Sequence, residues 1–128
     1  MSALLVEDDD DLCTSLKRLV VECGLDLRIV HDTNEARVAL QTAKPRLVIA
    51  DYDLPGVDTG LAFLTALKTE DPSVTTVLIS GSLDVVDARR DHTGRGVDLV
   101  LSKSDGVLMA RTVLAEIRRV AALDRSAP

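Results

Sequence analysis

Aromatic residues are almost missing from this chain: one tyrosine, one phenylalanine and no tryptophan among 128 residues. Tyr52 and Phe63 alone make no platform on which nucleic-acid bases could stack. Positive charge is also in deficit. Fifteen lysines and arginines against 21 aspartates and glutamates leave a net charge of −6. With an isoelectric point near 4.8, electrostatic capture of nucleic acid or of an anionic membrane is not expected. Cysteine is scarce as well. Cys13 and Cys23 lie ten residues apart in one amphipathic stretch, with no C-x-x-C pair. Two thiols on one helix at that spacing cannot close a disulfide, so both read as small hydrophobes in a reducing compartment. No leader-like segment and no long apolar run is found, which makes the cytoplasm the expected location. Repeats, linkers and low-complexity segments are absent too.

What the chain does have is apolar sequence, 46% of it, arranged in alternating short runs and helical stripes. Residues 3–6 (ALLV), 25–30 (LDLRIV), 46–50 (RLVIA), 74–80 (VTTVLIS) and 97–102 (VDLVLS) read as strands. Between them, 12–23 carries Leu12, Leu16, Leu19, Val20 and Cys23 at helical spacing, with Gly24 as its stop. Asp32 and Glu35 have capping-box spacing ahead of a second helix that Lys44-Pro45 closes. A third helix is predicted over 61–68, a weak polar one over 83–91, and a last one over 107–123 with Ala110, Val113, Leu114, Ile117, Val120 and Ala121 on one stripe. Strands that are apolar nearly throughout belong to a parallel sheet covered on both faces, and right-handed crossovers make it a doubly wound α/β domain. One domain over residues 1–124 with a short tail at 125–128 is expected.

Ligands of such sheets bind beyond the carboxyl ends of the strands. The strands deliver Glu7-Asp8, His31, Asp51, Ser80-Gly81 and Ser102-Lys103 to that edge in turn. Three carboxylates brought together repel one another by about 1–4 kcal/mol per close pair at a surface-like dielectric. A divalent cation removes the conflict, and an oxygen-only set without histidine suits Mg²⁺. With Lys103 supplying further positive charge and Ser80 a hydroxyl donor, the edge is suited to a phosphoryl group on a carboxylate. Asp9, Asp10 and Asp11 read instead as first-turn residues favoured by the helix dipole. A lone aspartate at a strand end is most often a turn former, and His31 and His92 read as surface residues. It is the agreement of four strand ends that singles out Asp51.

The acidic pair in LLVEDD, the aspartate with proline four residues on in ADYDLP, the serine in LISG and the lysine in LSK together resemble a receiver domain of two-component response regulators. The resemblance spans essentially the whole chain. It implies a flavodoxin-like (βα)5 fold with a five-stranded parallel sheet in order 2-1-3-4-5. It implies that Asp51 is the phosphoacceptor, that Glu7 and Asp8 hold Mg²⁺, that Asp53 gives the metal its backbone carbonyl, that Ser80 is the switch hydroxyl and that Lys103 pairs with phosphate. The implied partners are a sensor histidine kinase or histidine phosphotransfer protein and an unknown output protein or domain. The domain would promote its own phosphorylation and slow dephosphorylation without being an enzyme of turnover. Its binding face would comprise residues 83–91, strand five and the final helix.

This chain departs from the family pattern at three points. Val100 stands where the family usually has an aromatic, Ser104 follows Lys103 where proline is common, and Asp58-Thr59-Gly60 is one residue longer than the usual Asp-Gly. A cis bond without proline costs about 2.5–4 kcal/mol, so a trans Lys103–Ser104 bond is expected. Asp51-Tyr52-Asp53 also resembles the D-x-D of haloacid-dehalogenase-type small phosphatases, with Asp51 as nucleophile, but those enzymes place their acidic pair after the lysine. Asp58-Thr59-Gly60 spells the aspartic-protease triplet, which requires an all-β frame. An EF-hand from Asp51 fails at Pro55 and Ala62. A phosphorylation-independent interaction module is disfavoured by the complete acid–Asp–Ser–Lys set.

Overall fold

The computed structural model describes residues 2–22, 24, 26–54, 59–81, 96–104 and 106–126. In chain order the elements are β1 (Ser2–Val6), α1 (Asp10–Glu22), β2 (Asp26–Val30), α2 (Thr33–Thr42), β3 (Leu47–Asp51), α3 (Gly60–Glu70), β4 (Thr75–Ser80), β5 (Leu99–Ser102) and α4 (Gly106–Ser126). All neighbouring strands are parallel, in the order β2-β1-β3-β4-β5, as the resemblance implied. The helix expected over 83–91 lies outside the described residues, as do Cys23 and Asp58. The last helix continues to Ser126, two residues into the expected tail, because Asp124-Arg125 carries no helix breaker.

The helix starts follow from local chemistry. Asp9 Oδ1 accepts the backbone N–H groups of Asp11 (3.0 Å) and Leu12 (3.3 Å), which makes one of the five consecutive acids a cap. Gly24, at φ +73°, ends α1 in a conformation few side chains tolerate. Asp32 caps α2 by accepting from Glu35 N–H at 2.7 Å. Glu35 reaches back one residue further than a standard capping box and accepts His31 N–H at 2.6 Å. Thr59 caps α3, its hydroxyl accepting Ala62 N–H at 3.1 Å.

Strand alternation divides the interior into two layers. Leu5, Ile49, Ile79 and Leu101 pack against Cys13 and Leu16 of α1 and Val113 and Ile117 of α4. Leu4, Val6, Val48, Ala50, Leu78 and Val100 pack against Ala36 and Ala39 of α2 and Phe63 and Leu64 of α3. Every residue of β3 is buried, which is why its sequence is apolar without alternation. Among the described residues no helix is long and apolar enough to cross a membrane.

Candidate functional site

Register and side-chain parity place the polar strand ends. Val6 pairs with Ala50, Asp51 with Ile79 and Ser80 with Ser102. Counting alternately from Leu5, Ile49 and Leu101, the side chains of Glu7, Asp51 and Lys103 fall on the α1/α4 side of the sheet edge. Ser80 and Ser102 share the parity of Leu78 and Val100, on the α2/α3 side. The edge is therefore approached from both faces, by charge on one and by hydroxyls on the other.

The charged half is compact. Lys103 Nζ lies 2.8 Å from Asp51 Oδ2, to which it donates a hydrogen bond, and 2.8 Å from Glu7 Oε2. The buried Glu7 Oε2 depends on this ammonium, which it shares with Asp51. Glu7 Oε1 accepts Asp9 N–H at 3.1 Å, and Asp51 Oδ1 accepts Asp53 N–H at 3.2 Å. Glu7 is wholly buried and Asp51 is 3% exposed, whereas Asp8 is exposed. Burial pushes the Glu7 carboxyl up to about 7 and the Asp51 charge adds to the rise, against the pull of Lys103 and Asp9 N–H. For Lys103, burial works against the ammonium, but its contacts with Asp51 and Glu7 outweigh that and raise its pKa above the ordinary value.

A divalent cation fits this arrangement. One oxygen from each of Glu7, Asp8 and Asp51 lies within 4.8 Å of the others. Oxygens that share one Mg²⁺ are about 3 Å apart when adjacent and about 4.2 Å apart when opposite, so the three side chains would draw together to hold the ion. Three carboxylates faced by one ammonium leave uncompensated negative charge, and the cation beside the buried Glu7 Oε2, Lys103 Nζ, is shared with Asp51. The all-oxygen donor set is that of a hard ion.

The remaining sequence-predicted residues are placed less directly. Ser80 is buried at the end of β4, one residue beyond the partner of Asp51, and its carbonyl accepts Lys103 N–H at 2.9 Å. Asp53 is exposed and meets Asp51 through its backbone N–H. Val100 is 2% exposed in the α2/α3 layer, so the position that is usually aromatic is filled here by a core aliphatic. No peptide bond is cis among the described residues, the Lys103–Ser104 bond included, as expected. Sequence reasoning missed Gly60. A β-carbon there would sit 1.9 Å from the Asp51 carbonyl oxygen, far inside contact distance, so α3 starts against the backbone of Asp51 only because residue 60 has no side chain. The Thr-Gly of the protease-like triplet is thus a cap followed by a close approach. Its only sequence signal is that triplet.

Comparison with known proteins agrees with this architecture. The response regulator receiver domain family matches residues 3–113. The DNA-binding transcriptional regulator NtrC of Klebsiella pneumoniae is 30% identical over 83 residues, covering 65% of this chain and 18% of that protein. The DNA-binding response regulator MtrA of Mycolicibacterium smegmatis is 28% identical over 116 residues, covering 91% of this chain and 50% of that protein. The chain thus spans half or less of the length of these two relatives. Among solved structures, the receiver domain of the Francisella response regulator 1452 superposes with a TM-score of 0.80 at 19% identity, covering 93% of this chain and 94% of that one. An uncharacterized protein from Neptuniibacter caesariensis gives 0.80 at 28% identity, covering 97% and 91%. These matches lend no support to the phosphatase alternative.

Proposed function

The chain belongs to the response regulator receiver domain family, a phosphoryl-accepting signalling domain, and from that premise we propose that Asp51 accepts the phosphoryl group from a phosphohistidine partner in a Mg²⁺-dependent reaction. The donor is a sensor histidine kinase or a histidine phosphotransfer protein. The observation that carries the assignment is the Asp51 carboxylate at the sheet edge, held 2.8 Å from Lys103 Nζ beside the carboxylates of Glu7 and Asp8.

In this reading a carboxylate oxygen of Asp51 attacks phosphorus, the P–O bond forms as the P–N bond breaks, and the imidazole leaves with its electron pair. Lys103, already charged beside Asp51, turns to the phosphoryl oxygens as they arrive. Glu7, Asp8 and Asp51, with the Asp53 backbone carbonyl, would hold Mg²⁺, which when bound supplies positive charge to those same oxygens. Asp53 N–H and Lys103 fix the two oxygens of Asp51 before reaction, so little reorganisation remains to be done. Ser80, buried on the opposite face of the edge, donates its hydroxyl to the new anion and draws the loop after β4 with it. That displacement biases a two-state equilibrium read by a partner or output domain. With Val100 in the core, this output proceeds without an aromatic at position 100. Water later hydrolyses the acyl phosphate, which resets the switch without enzymatic turnover. Residues 1–124 act as one receiver domain, in the cytoplasm and with no direct contact with nucleic acid.

Incubation with Mg²⁺ and acetyl phosphate followed by intact-mass measurement tests the assignment. Wild type gains one phosphoryl group and Asp51→Asn gains none. Equal gain in both would remove Asp51 from the acceptor role.

A further inference from the structure

Lys103 has to place one nitrogen between two buried carboxylate oxygens, yet its side chain rotates about four bonds and its backbone sits where β5 ends. Ahead of it the chain is fixed, because Lys103 N–H donates to Ser80 carbonyl at 2.9 Å. After it no ladder continues. What holds the chain there is a side chain. Ser102 Oγ accepts Ser104 N–H at 3.1 Å, closing a turn over Lys103, and lies 2.5 Å from Ser104 Oγ. Ser102 is also the register partner of Ser80, so the same residue joins the lysine loop to the strand that carries the proposed switch hydroxyl.

We propose that Ser102 is a positioning residue for phosphoryl transfer: its side-chain oxygen, bonded to Ser104 N–H, sets the direction in which Lys103 leaves the sheet edge. The proposal rests on the assignment of Asp51 and Lys103 above. Without the Ser102 oxygen the peptide after Lys103 has lost the acceptor that turns it, and the ammonium samples positions away from Asp51. Of the two hydroxyls, that of Ser104 is dispensable, because the bond that defines the turn comes from its backbone.

The experiment measures the rate of phosphoryl gain from acetyl phosphate with Mg²⁺, and the melting temperature, for wild type, Ser102→Ala, Ser102→Thr and Ser104→Ala. Each substitution is also made in a Lys103→Ala background. Loss of one such hydrogen bond is expected to slow transfer by about three- to tenfold in Ser102→Ala. Ser102→Thr, which keeps the oxygen, restores the rate, and Ser104→Ala stays near wild type. In the Lys103→Ala background Ser102→Ala has no further effect, a coupling that a general loss of stability would not produce. An unchanged rate in Ser102→Ala overturns the proposal. So does a slowing of the same size with Lys103 absent, or a slowing that Ser102→Thr fails to rescue. If wild type itself gains no phosphoryl group, or gains it equally as Asp51→Asn, the underlying assignment fails first and takes this proposal with it.

Discussion

At the scale of single residues, the site is held together by an imbalance. Glu7 is charged only at the cost of burial, since Lys103 must also serve Asp51. A carboxyl whose pKa rises on folding, here to about 7, contributes stability that is fully present below the ordinary value of 4.5 and is lost as pH rises through about 7. Metal-free protein should therefore lose stability between about pH 5 and 8. Glu7→Gln imitates the protonated acid and should remove that loss. Denaturant unfolding in the presence of a chelator should show the variant equal to wild type near pH 5 and more stable by about 1–3 kcal/mol at pH 8. A variant no more stable than wild type at pH 8 would show that Lys103 compensates the buried charge in full. The same substitution should depress phosphoryl gain, since it removes a carboxylate from the proposed metal set. Glu7 was legible as the residue after an apolar run; its burial was not, because that depends on α1 and β2 closing over it. Gly60 was illegible for a related reason. Its function is to leave space next to a backbone nine residues earlier, and sequence spacing does not report a space.

At the scale of elements, the apolar runs located all five strands to within a residue or two, because a strand covered on both faces cannot hide its pattern. Caps were equally legible where acceptor and donor are neighbours, as in Asp32 with Glu35. The clamp at the far end of the sheet from the site was not legible in this way. Asp98 Oδ2 accepts Lys68 Nζ at 2.9 Å and Thr76 N–H at 2.8 Å, while Thr76 Oγ1 donates to Gly96 carbonyl at 2.9 Å. These partners come from α3, β4 and the approach to β5, and residues 30 positions apart give no local signal. The clamp fixes the approach to β5: Asp98 N–H is bonded to Thr76 carbonyl and hydroxyl, and Gly96 turns at φ +106° against Thr65. Burial opposes the Asp98 charge, but the bonds from Lys68 and Thr76 outweigh it and lower its pKa. A depressed carboxylate contributes stability above its unfolded value that is lost as pH falls through the folded one. Asp98→Ala should cost about 1–2 kcal/mol at pH 7, a figure reduced for the 40% exposure of its side chain. The gap to wild type should close below about pH 4, the ordinary carboxylate range. A gap that stays constant down to pH 3 in thermal melts would show that the Asp98 charge contributes nothing.

For the whole molecule, the informative feature is that chain order and site order differ. Residues 7 and 8, 51, 80 and 103 reach one edge because parallel strands all end there, so a right-handed α/β winding gathers four strand ends that lie far apart in sequence. That is why the set could be read from four strand ends before any distance was known, and why the side of the edge each residue takes could not. Folding and metal binding are separable at one of these positions. Asp8 is exposed, unlike Glu7 and Asp51, so Asp8→Asn should leave the fold's own stability untouched. A ligand bound only to the folded state adds RT ln(1 + [L]/Kd), about 1.4 kcal/mol at ten times Kd, and a chain of net charge −6 adds attraction at low salt. Wild type should therefore melt at a higher temperature as Mg²⁺ is added, reversibly with chelator and less steeply at high ionic strength. Asp8→Asn should melt with metal-free wild type and respond weakly to Mg²⁺. If the variant rose with Mg²⁺ as wild type does, the ion would be held elsewhere on an acidic surface, and the edge formed by Glu7, Asp8 and Asp51 would have to hold its phosphoryl group with Lys103 alone.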